Sequence, residues 1–254
     1  QTTWTFSLAI LMLGLSAGFL GSFAEKIGPK KSGLLAMLFW VTGLLGTAYA
    51  LSIHNLTLLY LFYGIIGGIG LGIGYITPVS TLVKYFPNRP GFATGLAIMG
   101  FGFASLIAGP LMQYLVAQVG LVDTFIILGV IYLVIMGASS LYLKAPQPKH
   151  STRTTKDRST MYVHTHGMLA NDAMKTWQFG ALWWVFFINI TCGIGLLSLA
   201  SPMAQEAIGM TPAAAASLVG IIGIFNGGGR IAWSTISDYL GRAQTYILFF
   251  IIEI

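Results

Sequence analysis

Charged residues are scarce in this chain. Asp, Glu, Lys and Arg make up 8% of its 254 residues, and hydrophobic residues make up 56%; an ordinary globular domain has about 25% charged residues. A helix that spans a bilayer needs about 20 consecutive apolar residues, and uncharged intervals of this kind cover most of the sequence. The composition excludes an ordinary water-soluble domain and indicates a membrane protein.

The chain also lacks the patterns of enzymes and metal sites. Its single cysteine, Cys192, excludes an intrachain disulfide. It contains no HExxH, no GxSxG, no Walker-A phosphate loop and no pair of carboxylates at membrane depth. For His164 and His166, which lie in a polar segment, a solvated loop is favoured over a metal site. We therefore expect no enzyme activity, no metal and no cofactor.

The uncharged intervals divide into seven predicted spans. We predict helices at about 4–24, 32–53, 56–80, 92–118, 123–143, 177–204 and 211–236, with an eighth that begins near Thr245. The chain has no initiator Met and stops inside the eighth apolar segment. We therefore expect an internal piece of a longer membrane protein.

The basic residues indicate the orientation. All but one of the 13 Lys and Arg residues fall in alternate connections, and the connections at 54–55, 119–122 and 205–210 have none. By the positive-inside rule the basic side is cytoplasmic, which predicts an integral protein of the plasma or inner membrane. The net charge of +6 follows from this topology, so no nucleic-acid partner is needed to explain it.

A polar linker interrupts the helices. Residues 144–176 are rich in Pro, Ser, Thr and Lys, a composition typical of a solvated linker. It divides the chain into an N-terminal helical bundle (1–143), a cytoplasmic linker (144–176) and the start of a C-terminal helical bundle (177–254).

A short motif occurs on both sides of this linker. GSFAEKIGPKK begins at Gly21 and STISDYLGRAQ begins at Ser234, so that Glu25 matches Asp238 and Gly28 matches Gly241. Secondary transporters commonly contain internal repeats with the substrate between them. We interpret the motif as the mark of a duplicated membrane unit; the alternative is chance similarity between two polar turns.

Both copies resemble the loop motif of the major facilitator superfamily, Gly-x-x-x-Asp-Arg/Lys-x-Gly-Arg/Lys. The resemblance implies an all-α polytopic fold, of which this chain carries helices 2 to 8 and the start of helix 9 of twelve. A closer resemblance, to the oxalate/formate antiporter family, rests on segments 67–103, 175–189 and 224–242, and above all on YFPNRPG and NGGGR. The chain departs from the loop motif at Glu25, Ser234 and Tyr239, where the motif has Asp, Gly and Arg.

Arg230 is the one charge between Ala207 and Ser237. It lies about 12 Å along a helix from Asp238, and its side chain is expected to lean toward the helix N-terminus, deeper into the membrane. A guanidinium there costs at least about 2.5–3.5 kcal/mol and requires a partner. No acid lies at membrane depth among residues 1–252, so we favour a substrate carboxylate over a structural pair with an acid from elsewhere. The resemblance implies that this arginine faces the central cavity.

Two aromatic residues join Arg230 in the predicted substrate site. The resemblance implies that Tyr75 faces the cavity, where its hydroxyl would orient a small anion; the alternative is an ordinary buried or interfacial tyrosine. Phe101 resembles another cavity-lining aromatic position. We therefore expect the substrate-binding residues to include Arg230, Tyr75 and Phe101.

Glycine patterns indicate close helix contacts. Gly64, Gly68 and Gly72 lie four residues apart, a stripe typical of helix packing. Glycines 227–229 would let either a helix or a ligand approach Arg230. The pair Gly109–Pro110 resembles a fifth-helix motif of superfamily antiporters, which favours exchange, although a plain helix kink explains it equally well.

The two loop motifs are the predicted gates. We expect their acids to form ion pairs and helix-end contacts that hold one state of the transport cycle closed; the alternative is a pair of solvated acids worth about 1 kcal/mol or less. The predicted gating residues are Gly21, Glu25, Lys26, Gly28, Lys30, Asp238, Gly241 and Arg242.

These observations predict a secondary transporter of small organic anions such as oxalate, formate, lactate or pyruvate. The membrane potential opposes anion entry by about 2.3 kcal/mol per charge per 100 mV, so alternating access would operate as antiport or with coupled protons. The alternatives are a superfamily exporter of apolar compounds, in which Arg230 is structural, and a non-transporting membrane sensor. The expected partners are the anion and the lipid bilayer, and we expect a monomer.

Overall fold

The structure, a computed structural model, describes residues 3–145 and 170–253, and within them it contains helices and no strands. Six of the helices are long and apolar enough to cross a membrane: α1, α2, α3, α4, α6 and α7. This confirms the predicted all-α polytopic architecture. The helices are α1 (Thr3–Ile27), α2 (Pro29–Ser52), α3 (Leu56–Tyr85), α4 (Pro90–Tyr142), the single turn α5 (Ala170–Ala173), α6 (Trp177–Ile208), α7 (Pro212–Leu240) and α8 (Arg242–Glu253).

Local signals in the sequence set several helix ends. Pro29 and Pro90 occupy the first turns of α2 and α4, where proline's missing N–H is not needed. Asn55 caps α3, because its side-chain oxygen accepts the Leu58 N–H at 3.1 Å. Within α3, residues Tyr60–Gly67 form a π-helical segment.

Helix α4 contains two predicted spans. Its 53 residues would extend about 80 Å, whereas a bilayer core is about 30 Å thick. Gly120, with φ 82° and ψ 174°, is the one residue in α4 with non-helical dihedrals, and it lies in the predicted connection at 119–122. We call residues 90–119 the first arm and residues 121–142 the second arm. The pair Gly109–Pro110 lies inside the first arm without a break in its helical dihedrals.

The chain divides into two compact units. One comprises residues 1–146 and 216–254, and the other comprises residues 147–215. The first therefore holds α1 to α4, most of α7 and all of α8, and the second holds α5 and α6. The proposed linker at 144–176, with His164 and His166, lies mostly outside the described residues, and the division at that linker stays a prediction.

Glycines bring the helices of the first unit into close contact. A Cβ atom added at Gly68 would lie 2.8 Å from the carbonyl oxygen of Ala9, and one at Gly72 would lie 2.5 Å from that of Leu13. The stripe predicted on α3 therefore packs against α1. In the same unit, a Cβ at Gly129 in the second arm would lie 2.9 Å from the Leu45 side chain of α2.

The two matched loop glycines share an unusual backbone conformation. Gly28 has φ 84° and Gly241 has φ 86°, and each lies between two consecutive helices. Gly28 also has ψ 160°, which places it in a region of the Ramachandran plot that is essentially reserved for glycine. The equivalent positions of the repeated motif thus both have a positive φ at the junction of two helices.

Gly28→Ala is expected to destabilise the protein by about 1–3 kcal/mol, because an L side chain is strained at these dihedrals. Gly18→Ala is the matched control, since Gly18 lies inside α1 and an added Cβ would meet nothing within 4 Å. Alanine is the better helix former, so this variant should be neutral or stabilised. Thermal unfolding in detergent compares the two, and equal midpoints would contradict the conformation assigned to Gly28.

Candidate functional site

The first arm of α4 packs antiparallel against α7 along a line of glycines. A Cβ added at Gly95 would lie 2.7 Å from the carbonyl oxygen of Arg230, and one at Gly102 would lie 2.5 Å from the Cα of Gly227. A Cβ at Gly223 would lie 2.7 Å from the carbonyl oxygen of Gly102. These distances leave no room for a side chain, so the two backbones touch. We call this contact the α4–α7 seam (Gly91, Gly95, Gly102, Gly223 and Gly227).

Arg230 lies beside this seam with a neutral partner. Its Nε donates a hydrogen bond to Oδ1 of Asn226 at 2.9 Å, so the side chain leans toward the N-terminus of α7, as predicted. Its Cζ lies 5.8 Å from the centroid of the Phe101 ring, within cation–π distance. In the part of the chain that the structure describes, no carboxylate forms an ion pair with Arg230.

Phe101 also lines an open cavity of about 360 Å³ in the first unit. The Tyr75 ring meets the Phe101 ring edge-on, with the centroids 6.3 Å apart. On another wall the Trp40 and Tyr132 rings also meet edge-on, with the centroids 6.0 Å apart. The cavity wall is therefore mainly aromatic and aliphatic.

The three predicted substrate-site residues are adjacent in space although they come from three helices. Phe101 lies between the guanidinium of Arg230 and the ring of Tyr75. Three further residues of this region, Asn226, Trp40 and Tyr132, were not predicted from the sequence. The spacing of Asn226 four residues before Arg230 could have indicated the first. Trp40 and Tyr132 carry no comparable signal, because an aromatic residue in an apolar helix resembles any packing residue.

The glycines before Arg230 have different surroundings. A Cβ at Gly227 would lie 3.0 Å from the carbonyl oxygen of Met99, whereas one at Gly228 would meet nothing within 4 Å. At Gly229 the nearest atom would be in the Trp233 ring, at 3.9 Å. Gly227 is therefore a packing glycine, and the next two leave open space.

Asp238 closes one end of the α4–α7 seam. Its carboxylate accepts hydrogen bonds from the backbone N–H groups of Gly91 at 2.9 Å and Phe92 at 2.8 Å. It also accepts one from Nη2 of Arg242 at 3.0 Å. The N-terminus of a helix favours an anion because its first N–H groups lack partners and its dipole is positive there. The Asp238 side chain is only 9% exposed, so it is not the solvated acid of the alternative interpretation. It ties the end of α7 to the start of α4.

Glu25, the matching acid, is bound less firmly. It forms an ion pair with Lys84 of α3, and the two side chains are 48% and 52% exposed. Exposed pairs of this kind contribute about 1 kcal/mol or less. Lys26 and Lys30 are also exposed. The two copies of the motif thus make unequal contacts.

Tyr239 replaces the motif's arginine and meets a cation from the other helix. The guanidinium Cζ of Arg89, just before α4, lies 5.9 Å from the Tyr239 ring centroid. A cation–π contact at an exposed site contributes about 0.5–1 kcal/mol. In this chain the cation at this contact is supplied by Arg89, which lies just before α4.

Comparison with known proteins adds independent evidence. The profile of the family described as Major Facilitator Superfamily matches residues 1–252. The chain is 30% identical over 246 residues to "Uncharacterized MFS-type transporter YhjX" of Escherichia coli (strain K12), and 26% identical over 250 residues to "Oxalate:formate antiporter" of Oxalobacter formigenes. These alignments cover 96% and 98% of the chain but 58% and 57% of the relatives. Human "Monocarboxylate transporter 12" is 32% identical over 170 residues, which cover 62% of the chain and 31% of that protein.

Proposed function

Because the chain belongs to the Major Facilitator Superfamily, we propose that the protein is a secondary transporter of small organic carboxylates that works by alternating access. The observation that carries this proposal is Arg230, a guanidinium beside an aromatic cavity whose direct hydrogen-bond partner is the neutral Asn226. Two relatives support the class, since one is named an oxalate:formate antiporter and another a monocarboxylate transporter. The proposed location is the plasma or inner membrane, with the linker at 144–176 in the cytoplasm.

The geometry at Arg230 suits a carboxylate. Asn226 uses the Nε donor, which leaves the Nη donors on the other edge of the guanidinium. These can bind a carboxylate with two hydrogen bonds, and a charged pair of this kind is stronger than a neutral one. Tyr75 and Phe101 would then border the bound anion.

The proposed gate is the cytoplasmic end of the α4–α7 seam. Asp238 holds the seam closed through the first N–H groups of α4, and Glu25 with Lys84 supplies a weaker contact on the other motif copy. Opening of the seam would admit the substrate from the cytoplasm. Since the membrane potential opposes anion entry, exchange for another anion or entry with a proton would complete the cycle.

The mainly apolar wall of the cavity favours a second candidate, export of apolar compounds. In that function Arg230 would be structural, and neutral molecules would compete with carboxylates. The two candidates therefore differ in what they predict for a carboxylate and its amide, which have nearly the same shape and differ in charge.

Counterflow into proteoliposomes of the full-length protein tests the proposal. Labelled oxalate, formate, lactate and pyruvate are offered to vesicles loaded with the same unlabelled acid. We expect at least one to accumulate, and we expect the amide of that acid to compete at least about tenfold less well, because it cannot form a charged pair with Arg230. Equal competition by the amide would contradict the proposal, as would the absence of uptake for every acid. Binding without uptake would indicate a sensor.

A further inference from the structure

The hydrogen bond between Asn226 and Arg230 joins two side chains that lie about one turn apart on α7. Arg230 Nε donates to Asn226 Oδ1 at 2.9 Å, and both residues are half-buried. Residues four apart on a helix are surface neighbours, so α7 itself supplies both partners. The guanidinium can only donate, and the amide accepts only through its oxygen. The pairing therefore fixes the direction of both groups.

We propose that Asn226 is a positioning residue, which holds the guanidinium of Arg230 with its Nη edge toward the substrate carboxylate; this role rests on the proposed function. A long side chain loses conformational freedom when it is ordered, and that loss weakens any binding that requires the order. The bond to Asn226 supplies part of the order before the substrate arrives. Asn226 should therefore raise the affinity for the substrate by acting through Arg230.

The Phe101 ring makes a second contact with Arg230, from another helix. Arg230 Cζ lies 5.8 Å from the ring centroid, and Phe101 belongs to the first arm of α4. This contact crosses the α4–α7 seam, whereas the bond to Asn226 does not. Opening of the seam would separate Arg230 from Phe101 and leave Asn226 in place. Since alternating access requires a substrate site in more than one state, the partner on the same helix is the one that can hold the arginine throughout the cycle.

The backbone that carries Asn226 is firmly held. Helix α7 continues through both 226 and 230, so the helix fixes the spacing of the two residues. In the closed seam, a Cβ added at Gly102 would lie 3.1 Å from the carbonyl carbon of Asn226 and 2.5 Å from the Cα of Gly227. The side chain of Asn226 thus projects from a backbone that cannot shift toward α4. A supporting residue that is itself fixed by packing holds a functional group more precisely.

The neutral charge of Asn226 is part of this role. An aspartate at 226 would also accept the Nε–H group, but it would form an ion pair with Arg230, and a charged pair is stronger than a neutral hydrogen bond. The substrate would then compete with a carboxylate that the helix keeps beside the arginine. Asparagine orients the guanidinium and leaves its charge for the substrate.

A double-mutant cycle in the full-length protein tests the positioning role. Asn226→Leu removes the acceptor and is made both in the wild type and in Arg230→Lys. The probe is whichever of oxalate, formate, lactate and pyruvate is taken up in counterflow. Calorimetry in detergent gives its dissociation constant, and counterflow gives the half-saturation concentration and the saturating rate.

In the wild type we expect Asn226→Leu to raise the dissociation constant and the half-saturation concentration about fivefold. This factor corresponds to about 1 kcal/mol, the cost of ordering one long side chain. The saturating rate should stay within about twofold, because an interaction common to the bound states affects binding and not turnover. In Arg230→Lys the same change should cause no further weakening. Lysine has one nitrogen in place of the fork of arginine, so Asn226 and the substrate would have to share it.

Two conservative variants separate the acceptor from the charge. Asn226→Gln keeps a neutral acceptor and should bind the acid within about twofold of the wild type. Asn226→Asp keeps the shape and the acceptor, yet at neutral pH it should weaken binding at least about tenfold, because the substrate must displace an ion pair. If Asn226→Leu does not fold, Asn226→Ala takes its place in the cycle, since it removes the acceptor without adding volume.

An equal loss from Asn226→Leu in the arginine and lysine backgrounds would overturn the positioning role, because a structural asparagine does not act through Arg230. Wild-type affinity in Asn226→Leu or in Asn226→Asp would also overturn it. In each of these cases the wild type still binds a carboxylate, and the proposed function stands. If no carboxylate binds the wild type and none is taken up in counterflow, the proposed function fails and the positioning role fails with it.

Discussion

Arg230→Gln is expected to lower the initial rate of carboxylate counterflow at least about 30-fold. Truncating one partner of a buried, hydrogen-bonded charge pair costs about 2–5 kcal/mol, and each 1.4 kcal/mol is tenfold. Glutamine can still hydrogen-bond to Asn226, so the loss reports the missing charge and the missing fork of donors. Arg230→Lys keeps the charge without the fork, and we expect a smaller loss of about tenfold.

The control for this charge removal is Lys144→Gln. Lys144 is exposed and lies just after α4, away from Phe101 and the cavity, so its loss should leave the rate unchanged. All the proteins are compared at equal amounts in the vesicles and by thermal unfolding. If Arg230→Gln keeps its transport rate within about threefold but unfolds at a lower temperature, Arg230 is structural and export of apolar compounds becomes the better proposal.

Asp238→Asn is expected to slow transport about tenfold or more without loss of the folded protein. Hydrogen bonds to a charged group contribute about 1.5–3 kcal/mol, and Asp238 accepts two from the start of α4 as well as one from Arg242. Asparagine retains one acceptor oxygen, loses the charge that the helix dipole favours, and brings an NH₂ donor toward N–H donors. The closed state of the seam should therefore become less populated.

A reporter cysteine measures that population directly. Cys192 is the single cysteine of the sequence, so Cys192→Ser gives a cysteine-free background for Ser234→Cys. Ser234 is half-buried in α7, and its Oγ would lie 2.9 Å from a Cβ at Gly95, so its labelling reports opening of the seam. Asp238→Asn should raise the labelling rate at position 234 about tenfold.

Asp123→Asn is the matched control for the same chemical change. Asp123 is exposed near the start of the second arm, and its neutralisation should alter neither labelling nor transport. If Asp238→Asn leaves the labelling rate and transport at wild-type values, the carboxylate caps α4 in every state of the cycle. The gating role would then be wrong.

The helices could be predicted because charge is so rare in the chain. Uncharged intervals located every long helix, and the connection expected at 119–122 contains the break at Gly120. The predicted end of the third span at about residue 80 was too early, since α3 continues to Tyr85. Lys84 lies in the last turn of α3 and forms an ion pair with Glu25. A lysine at the end of a membrane helix can lay its aliphatic stem against apolar surface while its charged ammonium stays at the interface.

The site was less predictable than the helices. Arg230 was visible because a lone charge stands out in an apolar segment, whereas Tyr75 and Phe101 depended on family resemblance. Trp40 and Tyr132 gave no contrast with their apolar surroundings. The partners of Asp238 were beyond prediction, since the N–H groups of Gly91 and Phe92 are 147 and 146 residues away in sequence, and only the packing of α4 against α7 brings them together.

The contact between Arg89 and Tyr239 has a consequence for engineering by consensus. Tyr239→Arg would restore the residue that the superfamily motif prefers, yet it would set two guanidinium groups against each other across the α4–α7 seam. We therefore expect the effect of a substitution at 239 to depend on the residue at 89. A chimera that takes its loop from one relative and its first arm of α4 from another would have to exchange both positions together.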